Sequence, residues 1–212
     1  MANYYPLVLD LTDKECVVIG GGEVACRKVT SLLACQAKVT TVSPALNSQL
    51  RDYAINKRII HIEREYRKED LKDAFLVIGA TDDRSVNVKI ANDAKGLGLL
   101  VNIVDSPDLS NFLVPASLRR GKLIIGISTS GASPALAKKI RKDLEDIYGE
   151  EYATFVDLLG NLRPKVFSRY KEEEERRLLW KRLVESDIPK LIKNGKDTEW
   201  KKRIEELISE GL

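Results

Sequence analysis

Short apolar runs alternate with segments of helical periodicity over the first half of the chain. The run Glu15–Ile19 is apolar at its end and leads into three consecutive glycines. Four apolar residues then recur at roughly helical spacing: Val24, Val29, Leu32 and Leu33. The run Lys38–Val42 is rich in β-branched residues, and Pro44 disfavours helix in the residue before it. The pattern predicts a strand, a tight turn, a helix and a second strand, which form a βαβ unit.

The alternation continues to residue 104. We expect helices at about 46–55 and 86–95, and strands near 59–62, 75–80 and 99–104. Strands that alternate with helices in this way predict a doubly wound parallel sheet with helices on both faces, in the α/β class.

The pattern changes after residue 105. Two apolar runs at 112–118 and 123–128, joined by a turn at 119–122, predict a β-hairpin. Ser133 and Pro134 then begin a helix that runs to residue 148, because serine caps free amides and proline suits the first helical position. The remaining residues predict charged amphipathic helices with breaks at three helix-disrupting residues: Pro164, Pro189 and Gly195.

The composition is that of a soluble globular protein, with 43% hydrophobic and 32% charged residues among 212. No segment approaches the roughly 18 uninterrupted apolar residues of a membrane span, and the first ten residues lack the pattern of a secretory signal. Cys16, Cys26 and Cys35 are too few and too irregularly spaced for a disulfide framework or a zinc site. We therefore expect a cytoplasmic protein whose cysteines are small core residues.

The charge is nearly balanced overall but unevenly distributed. The net charge of +3 comes from 35 basic and 32 acidic residues, which does not indicate a nucleic-acid binder. Residues 111–142, called here the acid-free segment, contain no Asp or Glu and one aromatic residue, Phe112, so they offer little base stacking. The segment carries seven cations: Arg119, Arg120, Lys122, Lys138, Lys139, Arg141 and Lys142.

The three glycines belong to a dinucleotide-binding fingerprint. Residues 20–25 read GGGEVA, which matches G-x-G-x-x-G/A between a predicted strand and a predicted helix. Gly20 permits the tight turn, Gly22 lets a pyrophosphate approach the backbone, and Ala25 allows close packing of helix on strand. The helix N-terminus offers free N–H groups to phosphate, so the first domain is expected to hold a nicotinamide dinucleotide.

The end of the second strand does not distinguish NAD from NADP. An acidic residue that binds the adenosine ribose is usual at this point, but Val42, Ser43 and Pro44 stand there. Ser43 has two interpretations, as a ribose ligand or as part of an ordinary strand-end turn.

Polar residues also follow the later parallel strands. Thr81 is expected to line the ligand crevice, whereas Asp82 and Asp83 either line it or cap the helix that begins near residue 85. Asn102 and Asp105 end the last parallel strand and are expected to point toward the same crevice.

Two acid–base candidates follow from residue type. Asp105 either accepts a proton as a hydride leaves the substrate or simply begins the turn before Pro107. His61 is the only histidine, and we interpret it as structural. A lone histidine argues against a histidine-based metal site or triad, so no metal ligands are predicted.

Taken in order, these segments resemble the precorrin-2 dehydrogenase family, the NAD-dependent enzymes of siroheme biosynthesis that also occur as the N-terminal part of siroheme synthase. The resemblance spans roughly residues 5–145. It rests on VIGGGEVA at 18–25 with Arg27 and Lys28, ATDD at 80–83, VNIVD at 101–105, Asn111 with Phe112, Pro115 with Ala116, IST at 127–129, Gly131, Ser133 with Pro134, and Leu136 with Ala137.

The resemblance implies an oxidoreductase that converts precorrin-2 to sirohydrochlorin and passes a hydride to NAD⁺. Asp105 falls on the family's key aspartate, and the implied role is general base. Cofactor contacts carried over by position are Gly22, Glu23, Val24, Ser43 and Pro44. Together with Gly20, Thr81 and Asn102 from the strand ends, these form the candidate cofactor site.

This substrate would explain why the acid-free segment is cationic, because precorrin-2 carries several carboxylates that cations can steer and hold. The candidate substrate contacts are Asn111, Arg119, Arg120, Ser128, Ser133 and Lys138. We expect about half of the seven cations to face solvent or a partner chain instead.

The resemblance also implies a homodimer with an interface after the dinucleotide-binding part. The expected division is a dinucleotide-binding domain at 1–110, a dimerisation region at 111–148 and a C-terminal helical domain at 149–212. Two other functions stay open: a bifunctional dehydrogenase and sirohydrochlorin ferrochelatase, and a module that senses NAD without chemistry.

Overall fold

The strand pattern of the first half forms one parallel sheet. A computed structural model describes residues 4–209. The outer ends of the first and third predicted domains, 1–3 and 210–212, lie outside these residues. The strands are β1 Glu15–Ile19, β2 Lys38–Val42, β3 Ile60–Ile62, β4 Leu76–Gly79 and β5 Leu100–Ile103. They lie in the order β3-β2-β1-β4-β5, and every neighbouring pair is parallel.

Helices cover both faces of this sheet. They are α1 Glu23–Leu33, α2 Ser48–Ile55 and α3 Arg84–Gly96, with a short 3₁₀ helix at Lys68–Leu71. One apolar cluster joins the sheet to α1 and α2, and a second joins its other face to α3 and the 3₁₀ helix. The predicted doubly wound α/β class is confirmed.

The strand order creates a crevice at one edge of the sheet. The chain runs outward from β1 through β2 to β3, then returns to the other side of β1 for β4 and β5. The register pairs Ile19 with Val42 on one side and with Gly79 on the other, so these strands end together. Ligands of doubly wound sheets bind outside such carboxyl ends, where the order reverses.

The chain divides between Val114 and Pro115 into two units, and the second consists of a hairpin followed by helices. The hairpin strands are β6 Ala116–Arg120 and β7 Leu123–Ile127. The helices are α4 Pro134–Ile147, α5 Glu151–Arg169, α6 Glu173–Val184, α7 Ile188–Lys193 and α8 Asp197–Ser209. Residues of all these helices except α4 form one apolar cluster.

The hairpin and the Ser133 cap are confirmed, with one boundary corrected. Ser133 Oγ accepts a hydrogen bond from the Leu136 amide at 3.2 Å, and Pro134 occupies the first turn of α4. The first hairpin strand begins at Ala116 rather than 112, because Pro115 has no amide hydrogen to add to the ladder. The turn is shorter than expected, since Arg120 already pairs with Leu123.

The predicted break at Pro164 is wrong. Pro164 lies inside α5, an uninterrupted helix of 19 residues. Phe155, Leu162 and Val166 are buried on one face of α5, on both sides of the proline, and this packing outweighs the lost hydrogen bond. Breaks do occur as predicted before Pro189, in the first turn of α7, and at Gly195, which has a φ of +69°.

The cysteines are free thiols in or beside the first core. Cys16 and Cys26 are buried as predicted, and burial raises the pKa of the Cys16 thiol to about 11. Cys35 is only half-buried and packs against the same cluster. None of the helices within residues 4–209 combines the length and apolar character needed to cross a membrane.

Candidate dinucleotide site

A crevice of about 880 Å³ opens at the carboxyl ends of β1, β2 and β4. This volume lies in the usual range for ligand sites. The loops after β1, β2, β3 and β4 all contribute to its lining. The lining includes seven of the eight predicted cofactor contacts: Gly20, Gly22, Glu23, Val24, Ser43, Pro44 and Thr81.

The glycine loop is packed tightly on two sides and open on the third. Gly20 has a φ of +123°, and a Cβ there would lie 2.2 Å from the Ala80 carbonyl oxygen. A Cβ on Gly21 would lie 1.8 Å from the Ala45 carbonyl oxygen, a requirement that the fingerprint alone did not indicate. A Cβ on Gly22 would meet no atom within 4 Å. The free space therefore lies where the fingerprint places the pyrophosphate.

The N-terminus of α1 supplies hydrogen-bond donors at this open side. Gly22 is the N-cap and provides no side-chain cap, and the first helical bond runs from the Cys26 amide to the Gly22 carbonyl at 2.9 Å. Helix geometry leaves the amides of Glu23, Val24 and Ala25 without intrahelical acceptors. These donors and the positive end of the helix dipole fit the pyrophosphate of a dinucleotide.

Asn47 joins the glycine loop to the loop after β2, and sequence reasoning missed it. Its backbone amide donates to the Gly21 carbonyl at 2.8 Å, and its Nδ2 donates to Glu23 Oε1 at 2.9 Å. Its Oδ1 accepts from the Leu50 amide at 2.9 Å and so caps α2. An asparagine just before a helix signals a cap, but the bond to Glu23 depends on the fold.

A carboxylate at position 47 tests this link. Asn47→Asp still caps α2 but opposes the Glu23 carboxylate, so we expect NAD⁺ to bind about five- to tenfold more weakly. Adding Glu23→Gln to the same chain lets the side chain at position 23 donate to the new carboxylate and restores the net charge. We expect the double variant to regain most of the affinity, measured by titration calorimetry as a double-mutant cycle. Additive effects without rescue would show that the link does not order the loop.

The loop after β4 is held by its own polar side chains. Asn87 Nδ2 donates to the Thr81 carbonyl at 2.9 Å, and Thr81 Oγ1 lies 3.0 Å from Asn87 Oδ1. Asp83 caps α3 through the amides of Ser85 and Val86, so the capping interpretation of Asp83 is confirmed. The hydrogen bond from the Ser85 hydroxyl and the two amide bonds hold the pKa of Asp83 below its usual value. Asp82 and Asp83 both line the crevice as well.

Asn102 and Asn111 fix the segment after β5 rather than line the crevice. Asn102 is buried, and its Nδ2 donates to the Phe112 carbonyl at 3.1 Å. Asn111 accepts from the Val101 amide and donates to the Leu99 carbonyl, each at 2.8 Å. The cofactor contact of Asn102 and the substrate contact of Asn111 stay predictions that these hydrogen bonds do not favour.

Asp105 lies two residues beyond β5 at the same sheet edge as the crevice. The Val104 amide donates to the Gly79 carbonyl at 2.9 Å, which ties this turn to the end of β4. The carboxylate is exposed, and the residue has a φ of +57°, a left-handed conformation that few residues other than glycine, aspartate and asparagine adopt readily. Asp105 is thus in a turn and presents an accessible carboxylate.

Lys28 of α1 is in the electric field of Asp105. Burial and the neighbouring Arg27 charge lower the pKa of Lys28, and the Asp105 carboxylate acts in the opposite direction. Lys28 lies one helical turn after Val24, which lines the crevice. A cation therefore accompanies the candidate base at the edge of the site.

Much of the charge of the acid-free segment is neutralised by acids that follow it in sequence. Arg120 pairs with Glu150 at 3.3 Å, and Lys122 pairs with Asp157 at 2.8 Å. Within α4, Lys139 pairs with Asp143 and Arg141 with Glu145. The absence of acids from the sequence segment therefore does not produce a uniformly cationic surface.

The remaining candidate substrate contacts are placed as follows. Ser133 is occupied by the α4 cap, and Ser128 Oγ accepts from the Ser130 amide at 3.1 Å. Arg119 and Lys138 are exposed. Neither the hydrogen bonds of the two serines nor the exposure of the two cations shows a substrate contact, so all four contacts stay predictions.

His61 has a structural contact, as predicted. Its Nε2 lies 2.9 Å from the Ser43 carbonyl oxygen and joins the ends of β2 and β3. Across residues 4–209, no three or more His, Cys, Asp and Glu side chains cluster so that they could hold a metal ion.

Three family models and a solved structure match most of this chain. Residues 7–116 match the family model described as "Putative NAD(P)-binding", 120–147 match "Sirohaem biosynthesis protein central" and 151–208 match "Sirohaem synthase dimerisation region". A solved precorrin-2 dehydrogenase is 28% identical with a TM-score of 0.74, covering 96% of this chain and 100% of that one. The chain belongs to the precorrin-2 dehydrogenase family.

Curated relatives of this protein are longer than this chain. Siroheme synthase from Nitrosomonas europaea is 34% identical over 92% of this chain and 41% of its own length. Siroheme synthase from Nitrosospira multiformis is 38% identical over 92% of this chain and 42% of its own length. The chain thus spans about two fifths of these relatives. The match named for dimerisation, 151–208, follows the predicted region 111–148, whose role stays a prediction.

Proposed function

We propose that this family member is an NAD⁺-dependent oxidoreductase that converts precorrin-2 to sirohydrochlorin in siroheme biosynthesis. The nearly end-to-end match to a solved precorrin-2 dehydrogenase carries the proposal. The open glycine loop beside a crevice of dinucleotide-binding type supports the cofactor part of it.

The glycine loop and α1 would hold the pyrophosphate. The amides of Glu23 and Val24 begin α1 next to Gly22, where a Cβ would meet no atom within 4 Å, and Asn47 holds the Glu23 carboxylate by a hydrogen bond. Ser43, Pro44 and Thr81 would line the rest of the cofactor path. When bound there, NAD⁺ supplies the hydride acceptor for the reaction.

Asp105 would take the proton. The oxidation removes two hydrogens from the substrate, one as a hydride to the nicotinamide ring and one as a proton to a base. Asp105 is exposed at the sheet edge next to the crevice, and its turn is tied to β4. Lys28 of α1 interacts electrostatically with Asp105, so a cation accompanies the base.

Three finer features belong to the same proposal. NAD rather than NADP is the cofactor, the protein acts as a homodimer, and it resides in the cytoplasm. The matched dimerisation region supports self-association. The exposed Arg119 and Lys138 suit carboxylates of the tetrapyrrole.

Anaerobic incubation of the purified protein with precorrin-2 and NAD⁺ tests the activity. We expect NADH and sirohydrochlorin absorbance to rise together in a one-to-one ratio. Fe²⁺ or Co²⁺ added in a second step measures chelatase activity against a protein-free control. If NAD⁺ binds but neither product forms, the NAD-sensing function replaces the dehydrogenase.

A further inference from the structure

The adenosine end of the crevice lacks an acidic residue on β2. Ser43, which follows this strand, donates its hydroxyl hydrogen to the Ala45 carbonyl at 2.7 Å. Because that hydrogen is used inside the turn, Ser43 is left mainly as an acceptor toward a ligand. Neither Ser43 nor Pro44 carries a charge that could distinguish a ribose hydroxyl from a 2′-phosphate.

The loop after β3 brings a carboxylate to this place. The β2–β3 ladder is parallel and ends with Val42 opposite Ile62, and the Ser43 amide donates to the Ile62 carbonyl at 3.2 Å. His61 adds its bond to the Ser43 carbonyl. Glu65, three residues beyond β3, is exposed and lines the same crevice as Ser43 and Pro44.

We infer that Glu65 selects NAD⁺ over NADP⁺. Its carboxylate accepts a hydrogen bond from an adenosine ribose hydroxyl and repels a 2′-phosphate, the task that doubly wound folds usually give to an acid at the end of β2. The inference rests on the proposed use of a nicotinamide dinucleotide and assigns its specificity to a residue in the loop after the neighbouring strand.

The arginine next to Glu65 already has a carboxylate partner in its own loop. The Arg64 guanidinium makes two hydrogen bonds to Asp70, at 2.9 and 2.5 Å, and a third to the Glu65 carbonyl at 2.9 Å. The Asp70 side chain is only 3% exposed. Burial raises the pKa of Asp70, but hydrogen bonds from the Arg64 guanidinium and the Arg67 amide outweigh it and hold the pKa below its usual value. Arg64 therefore stays paired inside the loop.

Lys89 is the cation that could oppose this selection. It lines the crevice from α3, and its Nζ lies 5.7 Å from the centre of the Tyr66 ring. The Tyr66 hydroxyl donates to Asp93 at 3.0 Å, which fixes the ring beneath the ammonium group. Lys89 is thus held over an aromatic face, whereas Glu65 is an exposed carboxylate in the crevice lining.

Dissociation constants for NAD⁺ and NADP⁺, measured by titration calorimetry on the full chain, test the inference. Glu65→Gln is expected to lower the preference for NAD⁺ over NADP⁺ by about tenfold or more, because it removes both the charged acceptor and the repulsion. Glu63→Gln makes the same charge change in the same loop outside the crevice lining, and it should leave the preference unchanged.

Four outcomes are distinguishable. An unchanged preference in Glu65→Gln, with NAD⁺ still bound, would overturn the role of Glu65 and leave the dinucleotide site in place. A preference that moves equally in Glu63→Gln would reduce the effect to general charge and would also overturn it. Failure of the unmodified protein to bind either dinucleotide would contradict the proposed function itself. Lys89→Gln should weaken both cofactors alike, and selective loss of NADP⁺ would assign discrimination to Lys89.

Discussion

Asp105→Asn is expected to lower kcat for precorrin-2 oxidation by about 10²–10⁴-fold, the range typical of a lost general base. Asparagine has nearly the same shape and tolerates the left-handed backbone found at this position. The substitution therefore removes the proton acceptor and leaves the turn in place. The NAD⁺ dissociation constant should stay within about twofold, because Asp105 lies outside the crevice lining.

Pre-steady-state NADH formation and NAD⁺ titration together check this result. Asp108→Asn is a matched control, since Asp108 is an exposed aspartate in the same loop. Asp105→Ala is less informative, because alanine adds backbone strain at a φ of +57°. Full turnover in Asp105→Asn would remove the proposed base, and a large loss of NAD⁺ affinity would instead assign Asp105 to cofactor binding.

Gly22→Asp is expected to weaken NAD⁺ binding by about 100-fold or more, because it places a carboxylate against the pyrophosphate in a partly desolvated site. The fold should tolerate the side chain, since a Cβ at this position meets no atom within 4 Å. Gly22 also has a φ of −85°, which any residue can adopt. The loss should thus appear in affinity and not in the stability of the unliganded protein.

Gly22→Ala separates the charge from the added volume. We expect it to bind NAD⁺ several-fold more weakly than the unmodified protein but far better than Gly22→Asp, with an unchanged thermal midpoint. Equal affinities for all three proteins would show that the pyrophosphate does not lie over Gly22. Gly21→Ala is unsuitable as a control, because its Cβ would lie 1.8 Å from the Ala45 carbonyl oxygen.

Local patterns predicted the fold where packing agrees with residue type. The bounds of β1 and β2 follow from the sequence, because apolar and β-branched runs end directly at Gly20 and Ser43. The misplaced start of β6 and the predicted break at Pro164 have different causes. Pro115 removes a ladder donor that hydropathy does not detect, and the buried face of α5 outweighs the cost of Pro164.

For the candidate site too, some features could be predicted from the sequence and others could not. The glycine fingerprint is contiguous in the chain, so its turn, its helix and its place in the crevice could be predicted. The contacts of Asn47 depend on β1 and β2 lying side by side, and the position of Glu65 depends on β2 and β3 doing so, which a single sequence does not specify. The ion pairs of Lys139 and Arg141 could have been predicted from the sequence, because Asp143 and Glu145 follow four residues later on the same helix.

The division between Val114 and Pro115 has a consequence for calorimetry. Each unit has apolar clusters built from its own residues, and within residues 4–209 those that line the candidate cofactor crevice all lie between 19 and 89. A chain with two such cores need not melt in a single cooperative step. A dinucleotide would raise the midpoint of the first unit by mass action, to an extent set by its concentration. A shift of one melting transition in the heat-capacity trace then shows which unit binds a ligand, before any turnover is measured.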